Sequence, residues 1–303
     1  MADHRFKIVG LGEILWDIFP AGRQLGGAPA NFAYISSLLG NCGSVASRVG
    51  ADDLGRDAIE HLKRRGISTE SIQSDPDHPT GTVQVEVDAA GQPRFEIKEG
   101  VAWDFLEWTP DWARLAGEVD AVCFGSLAQR YPTTGATVQR FLQAARPGAV
   151  RIFDVNLRQR FFTRDILVKS LKVADIVKLN HEELPWIMHM LELPDADEAS
   201  SARRLVALHP VKMVCVTRGD RGSLLVTSDQ KTAEHPGYRV KVADTVGSGD
   251  AFTAALVFEY LRGSTLLEMS DTANQIGAWV ASQVGGMPGP PEGGLRKRSG
   301  QWV

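Results

Sequence analysis

The chain has 303 residues, of which 43% are hydrophobic and 23% charged, enough for one large α/β domain with a small appendage. Its formal net charge of −4 and isoelectric point near 6.0 give no basis for non-specific binding of nucleic acid. Carboxylates interrupt the N-terminal apolar run, and no stretch approaches about 18 uncharged apolar residues, so we expect neither export nor membrane spanning and predict a cytoplasmic protein.

Apolar runs alternate with helical patterns along the chain. Buried strands are predicted at 6–11, 121–124, 151–155, 176–179 and 213–217. Helices are predicted at 57–65, 134–145, 199–208, 251–261 and 265–284, with another ending at Gly40 as its C-cap. This alternation predicts an α/β fold with a mostly parallel sheet covered on both faces. Because ligands bind beyond the carboxyl ends of such strands, residues directly after them are site candidates.

Residues 80–98 show a different pattern. Valines at 83, 85 and 87 alternate with polar residues, residues 88–91 (Asp-Ala-Ala-Gly) supply a turn, and Phe95 and Ile97 flank Glu96. The pattern predicts a hairpin with one apolar face. An isolated hairpin is only marginally stable, so that face must pack on something, and the edge of the main sheet is one such place.

Residues 244–252 (Asp-Thr-Val-Gly-Ser-Gly-Asp-Ala-Phe) form a glycine-rich turn before an apolar helix. Gly247 and Gly249 let the backbone turn sharply, and Ser248 lies near the predicted N-cap. The amides and the helix dipole would favour a phosphate there. Asp250 beside that anion hole is suited to accept a proton from a nucleophilic hydroxyl. An ordinary N-cap loop with a first-turn aspartate is the alternative.

A second motif lies far away in sequence. Residues 26–33 (Gly-Gly-Ala-Pro-Ala-Asn-Phe-Ala) open a helix with Pro29 in its first turn. Further landmarks follow in order at 154–158 (Asp-Val-Asn-Leu-Arg), 180–183 (Asn-His-Glu-Glu) and 217–219 (Thr-Arg-Gly), with Gly222. Over nearly its whole length the chain resembles the ribokinase family of carbohydrate kinases. Residues 12–17 (Gly-Glu-Ile-Leu-Trp-Asp), 25–31 and 102–104 (Ala-Trp-Asp) are most similar to bacterial fructokinases.

The resemblance implies a ribokinase-like three-layer sandwich, with a mostly parallel central sheet and a small β lid. It implies one carbohydrate kinase domain over residues 1–303, whose lid is the hairpin at about 80–98 plus a further strand near 13–25. The lid also implies a candidate homodimer contact. The implied reaction is ATP-dependent phosphorylation of D-fructose to fructose 6-phosphate. A kinase for ribose, another sugar or a nucleoside, and a non-catalytic sugar-binding regulator, are the alternatives.

The resemblance also implies roles for individual residues. Asp250 is the implied base, and the amides of Gly247, Ser248 and Gly249 form the anion hole. The implied sugar ligands are Asp17, Gly26, Gly27, Asn31, Asn156 and Arg158. The implied ATP-site residues are Asn180, Thr217, Gly219 and Gly222. Glu183 is implied to act on Mg²⁺ through water, and Asp244 is a candidate ligand for a monovalent cation such as K⁺. Turns, helix caps and a surface ion pair are the alternative explanations for these residues.

Competing motifs are incomplete. Gly10-Leu11-Gly12 ends a predicted strand, but Leu15 stands where a dinucleotide fingerprint needs glycine. The sequence contains neither GxxxxGK[ST] nor HExxH. The cysteines at 42, 123 and 215 lack CxxC spacing, so we expect buried free thiols. Tryptophans at 103, 108 and 112 are expected to pack a loop onto the core, and residues 285–300 to form an irregular tail.

Overall fold

The computed structural model describes residues 4–20, 22–87, 93–291, 295, 297–298 and 301–302. Its strands are β1 (Lys7–Leu11), β2 (Leu15–Phe19), β3 (Gly22–Gly26), β4 (Cys42–Gly50), β5 (Ile72–Asp75), β6 (Gly81–Val87), β7 (Pro93–Ile97), β8 (Ala121–Phe124), β9 (Val150–Asp154), β10 (Ile176–Asn180), β11 (Met213–Thr217), β12 (Ser223–Thr227), β13 (Thr232–His235), β14 (Lys297–Arg298) and β15 (Gln301–Trp302). Its helices are α1 (Ala28–Leu38), α2 (Asp53–Arg64), α3 (Pro110–Ala116), α4 (Pro132–Ala144), α5 (Arg164–Val173), α6 (Glu183–Met190), α7 (Glu198–Leu208), α8 (Ser248–Leu261) and α9 (Leu266–Ala281).

The main sheet has the strand order β13-β12-β11-β10-β9-β8-β1-β4-β5. Strands from β11 to β5 run parallel, whereas β12 and β13 pair antiparallel at one edge. Successive side chains of a strand point to opposite faces, and each face has its own apolar core. In β11, for example, Val214 and Val216 face one core and Met213 and Cys215 the other.

Helices cover both faces of this sheet. Buried residues of α1, α2, α8 and α9 join the core on one face, and those of α3 to α7 join the core on the other. The predicted α/β fold with a mostly parallel, doubly covered sheet is therefore confirmed. None of the helices in the described part of the chain is both long and apolar enough to span a bilayer.

A second, four-stranded sheet has the order β3-β2-β6-β7. β2 pairs with β3, and β6 with β7, in antiparallel fashion, while β2 and β6 run parallel. Val83 and Ile97 lie in the same core as Leu15, so this part of the apolar face packs inward, whereas Phe95 on the same face is exposed. The hairpin thus belongs to a separate sheet and not to the edge of the main one. The predicted turn at 88–91 lies outside the described residues.

Several predicted details were wrong. The strand predicted at 151–155 lies one residue earlier, and α2 begins at Asp53 because Asp52 caps it by accepting a hydrogen bond from the Gly55 amide. α9 ends at Ala281, three residues before the predicted end. Leu39 is the C-cap of α1, and Gly40 follows it with a φ of 95°.

The predicted environment of one cysteine and of the C-terminal tail also needs correction. Cys123 and Cys215 are buried free thiols as predicted, but Cys42 is exposed because it begins β4 at the end of the sheet. Residues 297–298 and 301–302 pair as two short strands, although an irregular tail was expected. Trp103 and Trp112 are buried in the core, as the packing explanation predicts.

Candidate active site

The start of α8 lies beside the carboxyl ends of the parallel strands. Gly247, in the left-handed region with a φ of 75°, is its N-cap. A side-chain carbon at Gly247 would lie 2.3 Å from the Gly286 Cα, so both the dihedral angle and the close approach require glycine. Ser248 is the first helical residue and not the N-cap, and its Oγ donates to the Gly277 carbonyl at 3.0 Å.

The first N–H groups of a helix have no partner within the helix. The Ser248 amide lies 3.3 Å from the Thr245 carbonyl oxygen, a long hydrogen bond. The turn therefore has the geometry of an anion-binding helix start, with one of its amides weakly held by the chain itself.

Asp250 lies in the first turn of α8 and is half-buried. Its Oδ2 accepts a hydrogen bond of 2.8 Å from Asn31 Nδ2, which joins the two sequence motifs that are 219 positions apart. The pKa of Asp250 is raised to about 6, mainly by burial and also by the charge of Asp154, while Asn31, Lys178 and Arg158 oppose the shift. At neutral pH the carboxyl group is mostly ionised and able to take up a proton.

Asn31 is buried at the start of α1, in direct contact with the predicted base. Among the residues that the structure describes, none donates a hydrogen bond to its Oδ1. A side-chain carbon at Gly286 would lie 2.6 Å from the atoms of this amide. Asn31 is thus positioned to orient Asp250 as well as to meet a ligand.

The predicted sugar residues of the small sheet lie close together. A side-chain carbon at Gly26 would lie 2.6 Å from Asp17 Oδ2, so glycine makes room for this carboxylate. Gly27 has a φ of 110° and approaches the Glu13 carbonyl oxygen so closely that a Cβ would lie 2.5 Å from it. The pKa of Asp17 is raised to about 6, mainly by burial, with Asp244 adding to the increase and Arg158 opposing it.

Glu13 faces the same cleft, although sequence reasoning assigned it no role. The cleft is lined by residues of the two motifs and by the ends of β8 and β9: Glu13, Ala28, Pro29, Phe32, Cys123, Phe124, Gly125, Asp154, Asn156 and Asp250. Glu13 is buried, and no described residue donates to its Oε2. Burial raises its pKa to about 7, and the charge of Asp250 contributes to the increase.

Asn156 and Arg158 follow β9. Asn156 adopts a φ of 43°, in the left-handed region that asparagine tolerates better than most residues. Ser126 Oγ donates to the preceding carbonyl, that of Val155, at 2.8 Å. Arg158 is exposed at the rim, and its charge acts on Glu13, Asp17 and Asp250.

Asn180 and Glu183 form the start of α6. Asn180 Oδ1 accepts hydrogen bonds from the amides of Glu182 and Glu183, at 2.9 and 2.8 Å. Glu183 Oε1 accepts from the Leu157 amide and Oε2 from the Asn180 amide, both at 2.8 Å. Burial raises the pKa of Glu183. Asn180 therefore caps the start of the helix, as the alternative explanation predicts. The Glu183 carboxylate also connects the loop after β9 to the end of β10.

Thr217, Gly219 and Gly222 lie at the neighbouring end of β11, where Thr217 pairs in register with Asn180. Gly219 and Gly222 have φ values of 65° and 81°. A side-chain carbon at Gly222 would lie 1.9 Å from the His235 carbonyl oxygen, so this glycine is required by the turn itself. These residues form a second group, next to the one around Asp250.

Asp244 bridges two segments. Its Oδ1 accepts from the Val246 amide and its Oδ2 from the Gly285 amide, both at 3.0 Å. Gly285 and Gly286 thus belong to the site, where a Cβ on Gly285 would lie 1.6 Å from Gln24 Nε2. Sequence reasoning placed these glycines in a tail, because only the folded chain brings them to Gln24 and Gly247.

In the described part of the chain, no three His, Cys, Asp or Glu side chains cluster as metal ligands.

A profile of the pfkB family of carbohydrate kinases matches residues 21–292. The chain belongs to this family. It is 31% identical to a fructokinase of Klebsiella pneumoniae, with 83% of each chain covered, and 29% identical to a fructokinase of Vibrio alginolyticus, with 92% of this chain and 94% of the other covered. A sugar kinase of Pyrococcus horikoshii, solved in complex with ATP, superposes with a TM-score of 0.78 at 28% identity, covering 92% of this chain and 94% of that one.

In this pfkB-family sugar kinase a buried ion pair, to which the sequence assigned no role, lies next to the site. Lys178 Nζ lies 3.0 Å from Asp154 Oδ1 and 3.1 Å from Oδ2, and both side chains are buried. Lys178 interrupts the otherwise apolar run of β10. Because an isolated buried charge is strongly unfavourable, a lysine within a predicted buried strand already indicates a partner of opposite charge. The site therefore combines a carboxylate of raised pKa, a helix start suited to an anion, and a buried charge pair behind both.

Proposed function

We propose that the protein transfers the γ-phosphoryl group of ATP to D-fructose and forms fructose 6-phosphate. The observation that carries the proposal is the half-buried Asp250, bonded to Asn31 at the start of α8. Two fructokinases at 29% and 31% identity support fructose as the substrate, and the ATP complex of the Pyrococcus horikoshii kinase supports ATP as the donor.

In the proposed reaction the 6-hydroxyl oxygen of the sugar attacks the γ-phosphorus while the bond from that phosphorus to the bridging oxygen breaks and ADP leaves. Asp250 accepts the hydroxyl proton. The amides of Gly247, Ser248 and Gly249 stabilise negative charge on the transferred group, and the long Ser248–Thr245 hydrogen bond yields readily to a phosphate oxygen. Positioning of the two substrates supplies most of the rate enhancement.

The sugar is proposed to lie between the small sheet and the start of α8. Asp17, whose carboxylate has room because of Gly26, accepts hydrogen bonds from sugar hydroxyls, and the Asn31 amide oxygen faces the same space. Gly27 lets the backbone approach Glu13. Asn156 at the cleft and Arg158 at its rim contact the sugar or the incoming phosphate.

ATP is proposed to lie along the group formed by Asn180, Thr217, Gly219 and Gly222, at the ends of β10 and β11. Mg²⁺, when bound, neutralises phosphate charge. Both oxygens of Glu183 already accept a backbone amide, and each oxygen can accept one further hydrogen bond, so the carboxylate fits a water-mediated contact and not a direct one. The lack of a three-residue acidic cluster in the described chain fits the same arrangement.

Asp244 is proposed to help hold K⁺ beside the anion hole. Its two oxygens fix the loop before α8 to Gly285, so a cation there would act on the geometry of Gly247. We expect a higher phosphorylation rate in potassium than in a bulky organic cation at equal ionic strength. Equal rates in the two salts would remove this assignment.

The substrate is tested by an ADP-release assay, coupled to a second enzyme, across fructose, ribose, glucose and adenosine. The proposal expects the highest kcat/KM with fructose. A higher value with ribose, glucose or adenosine would assign another substrate to the same chemistry. Absence of sugar-dependent ADP release would indicate a non-catalytic regulator.

Asp17→Ala is expected to raise the sugar KM by about tenfold or more, because it removes a half-buried hydrogen-bond acceptor for a sugar hydroxyl. ATP affinity, measured by calorimetry, should stay within about twofold. Asp229→Ala is a suitable control, since this exposed carboxylate pairs with Lys231 in the turn between β12 and β13, at the edge of the main sheet. Lost ATP affinity in the Asp17 variant would contradict the assignment.

The sheet β3-β2-β6-β7 is proposed to close over the sugar. We expect fructose to slow amide hydrogen exchange in peptides covering residues 81–87 and 93–97, because closure orders strands that lie over the site. Peptides from α7, which packs on β11 and β12 toward one edge of the main sheet, should be unchanged. Equal exchange in the small sheet with and without fructose would count against closure.

The same sheet is the proposed contact of a homodimer. Phe19 is 36% exposed and Phe95 53% exposed, and both lie on this sheet. Light scattering that gives the mass of a single chain at assay concentrations would contradict the dimer.

The cytoplasm is the proposed location, in keeping with the kinase assignment.

A further inference from the structure

A buried polar network lies beneath the start of α8. Lys178 on β10 pairs with both oxygens of Asp154 on β9. Thr253 Oγ1 on α8 lies 2.9 Å from Asp154 Oδ2 and 2.9 Å from the Gly249 carbonyl oxygen. A side-chain carbon at Gly249 would lie 3.0 Å from Lys178 Nζ, so the amine sits directly behind the proposed anion hole. The network thus joins two strands to the helix turn that carries Asp250.

A need for stability does not explain this pair. Replacing a buried ion pair by apolar side chains of similar volume is often neutral or stabilising, because desolvation offsets the Coulomb attraction. The surrounding strands β9 and β10 are otherwise apolar at their buried positions, so an apolar pair would suit the core equally well. Asp154 is bonded to Thr253, which lies one helical turn after Asp250, and this position of the charges indicates a role in the chemistry.

The charges act on Asp250 in opposite directions. The titratable or charged groups that act on it from the neighbouring elements are Glu13, Cys123, Asp154, Arg158 and Lys178. Among the charged groups Asp154 has the largest effect, and it favours the protonated form of Asp250, while Lys178 favours the ionised form. Burial alone would lower the pKa of Lys178, but Asp154, Glu183 and Asp250 together raise it, so the amine stays charged.

We propose that Asp154 and Lys178 are a positioning pair whose opposite charges, held beside the start of α8 by Thr253 and the close approach of Gly249, control whether Asp250 is ionised. The proposal rests on the proposed function, because it takes Asp250 to be the proton acceptor. Asp154 keeps Asp250 basic enough to accept the hydroxyl proton, and Lys178 keeps both carboxylates ionised near neutral pH. Neither residue is proposed to touch the reacting atoms.

The test is the pH dependence of kcat/KM for the sugar from about pH 5 to about pH 8, where the acid limb reports the base in the free enzyme. Asp154→Asn removes a negative charge, so proton binding to Asp250 weakens and the acid limb should move to lower pH by about one unit. In the double variant Asp154→Asn/Lys178→Met the loss of the cation opposes that shift, and the limb should return most of the way to its wild-type position.

Thr253→Val is the matched control. It removes a hydrogen bond to Asp154 from the same network and leaves every charge in place, so its acid limb should not move even where turnover falls. An unmoved limb in Asp154→Asn, or an equal shift in Thr253→Val, would overturn the proposal and leave the pair a structural role.

Folding is checked by circular dichroism before any profile is measured. Should Asp154→Asn not fold, Lys178→Met decides the matter: loss of the cation should move the limb to higher pH, and a limb that stays or moves down would contradict the proposal. Failure of the proposed function is seen separately, as near-normal kcat in Asp250→Asn. If Asp250→Asn is inactive but the acid limbs of the Asp154 and Lys178 variants do not move, the proposed role of the ion pair is refuted and the proposed function stands.

Discussion

Asp250→Asn is expected to lower kcat by roughly 10²–10⁴-fold, the range for loss of general acid–base catalysis. The amide keeps the size of the carboxylate, and its oxygen can still accept the hydrogen bond that Asn31 Nδ2 now donates to Oδ2. The geometry at the start of α8 is therefore retained while the proton acceptor is lost. Steady-state kinetics at saturating sugar and ATP measure the effect.

Binding of ATP should survive in this variant, since removing a negative charge near the phosphates favours ATP if it has any effect. Asp53→Asn is the matched control. Asp53 is also an acidic residue in the first turn of a helix, α2, and is exposed away from the site. It loses the same favourable interaction with a helix dipole and should keep a normal kcat. A near-normal kcat in Asp250→Asn would contradict the proposed mechanism.

The stability of Asp250→Asn gives an independent readout. Burial raises the pKa of Asp250 from 3.8 to about 6, so between these values the folded state binds more protons than the unfolded state. Ionisation of Asp250 thus opposes folding increasingly as pH rises through this window. The asparagine variant lacks this penalty and should unfold at the same or a higher temperature at pH 7. A lower melting temperature would favour a structural role for the carboxylate.

The arrangement of a mostly parallel sheet covered by helices on both faces was predictable from the sequence, because apolar runs and helical periodicity are local signals. Helices α7 and α8 and strands β8 and β11 were placed within a few residues, since burial on both faces makes such strands continuously apolar. Helix ends were less predictable. The helix predicted from residue 251 begins at Ser248, after the N-cap Gly247, where the close approach of Gly286 excludes a side chain.

The site itself was predictable only where its residues stand in compact motifs. Asp250 and Asn31 were both predicted as functional residues, but their mutual hydrogen bond depends on the packing of α1 against α8. Glu13 and Lys178 were missed, although a buried charge within an apolar run can be recognised in a sequence. Gly285 carried no such signal, because its role comes from contacts with Gln24 and Asp244, both distant in sequence.

Gly247→Ala is expected to lose stability and activity together. Alanine in the left-handed region costs about 1–2 kcal/mol on backbone grounds. Here its Cβ would also lie 2.3 Å from the Gly286 Cα, a backbone atom that moves only if the loop after α9 moves. That loop touches Asn31 and Gln24, so the displacement reaches both the proposed base and the proposed sugar site.

Gly263→Ala separates the two effects, because Gly263 follows the other end of α8 with a φ of 73°, and no atom lies within 4 Å of its hypothetical Cβ among the residues described. It should lose about 1–2 kcal/mol in chemical denaturation and keep its kcat. Gly247→Ala should lose more stability, and its kcat should fall by about 10²-fold, as a displacement of about 1 Å at a reacting group can cause. Equal stability losses and equal kcat in the two variants would show that the contact between Gly247 and Gly286 does not hold the site in place.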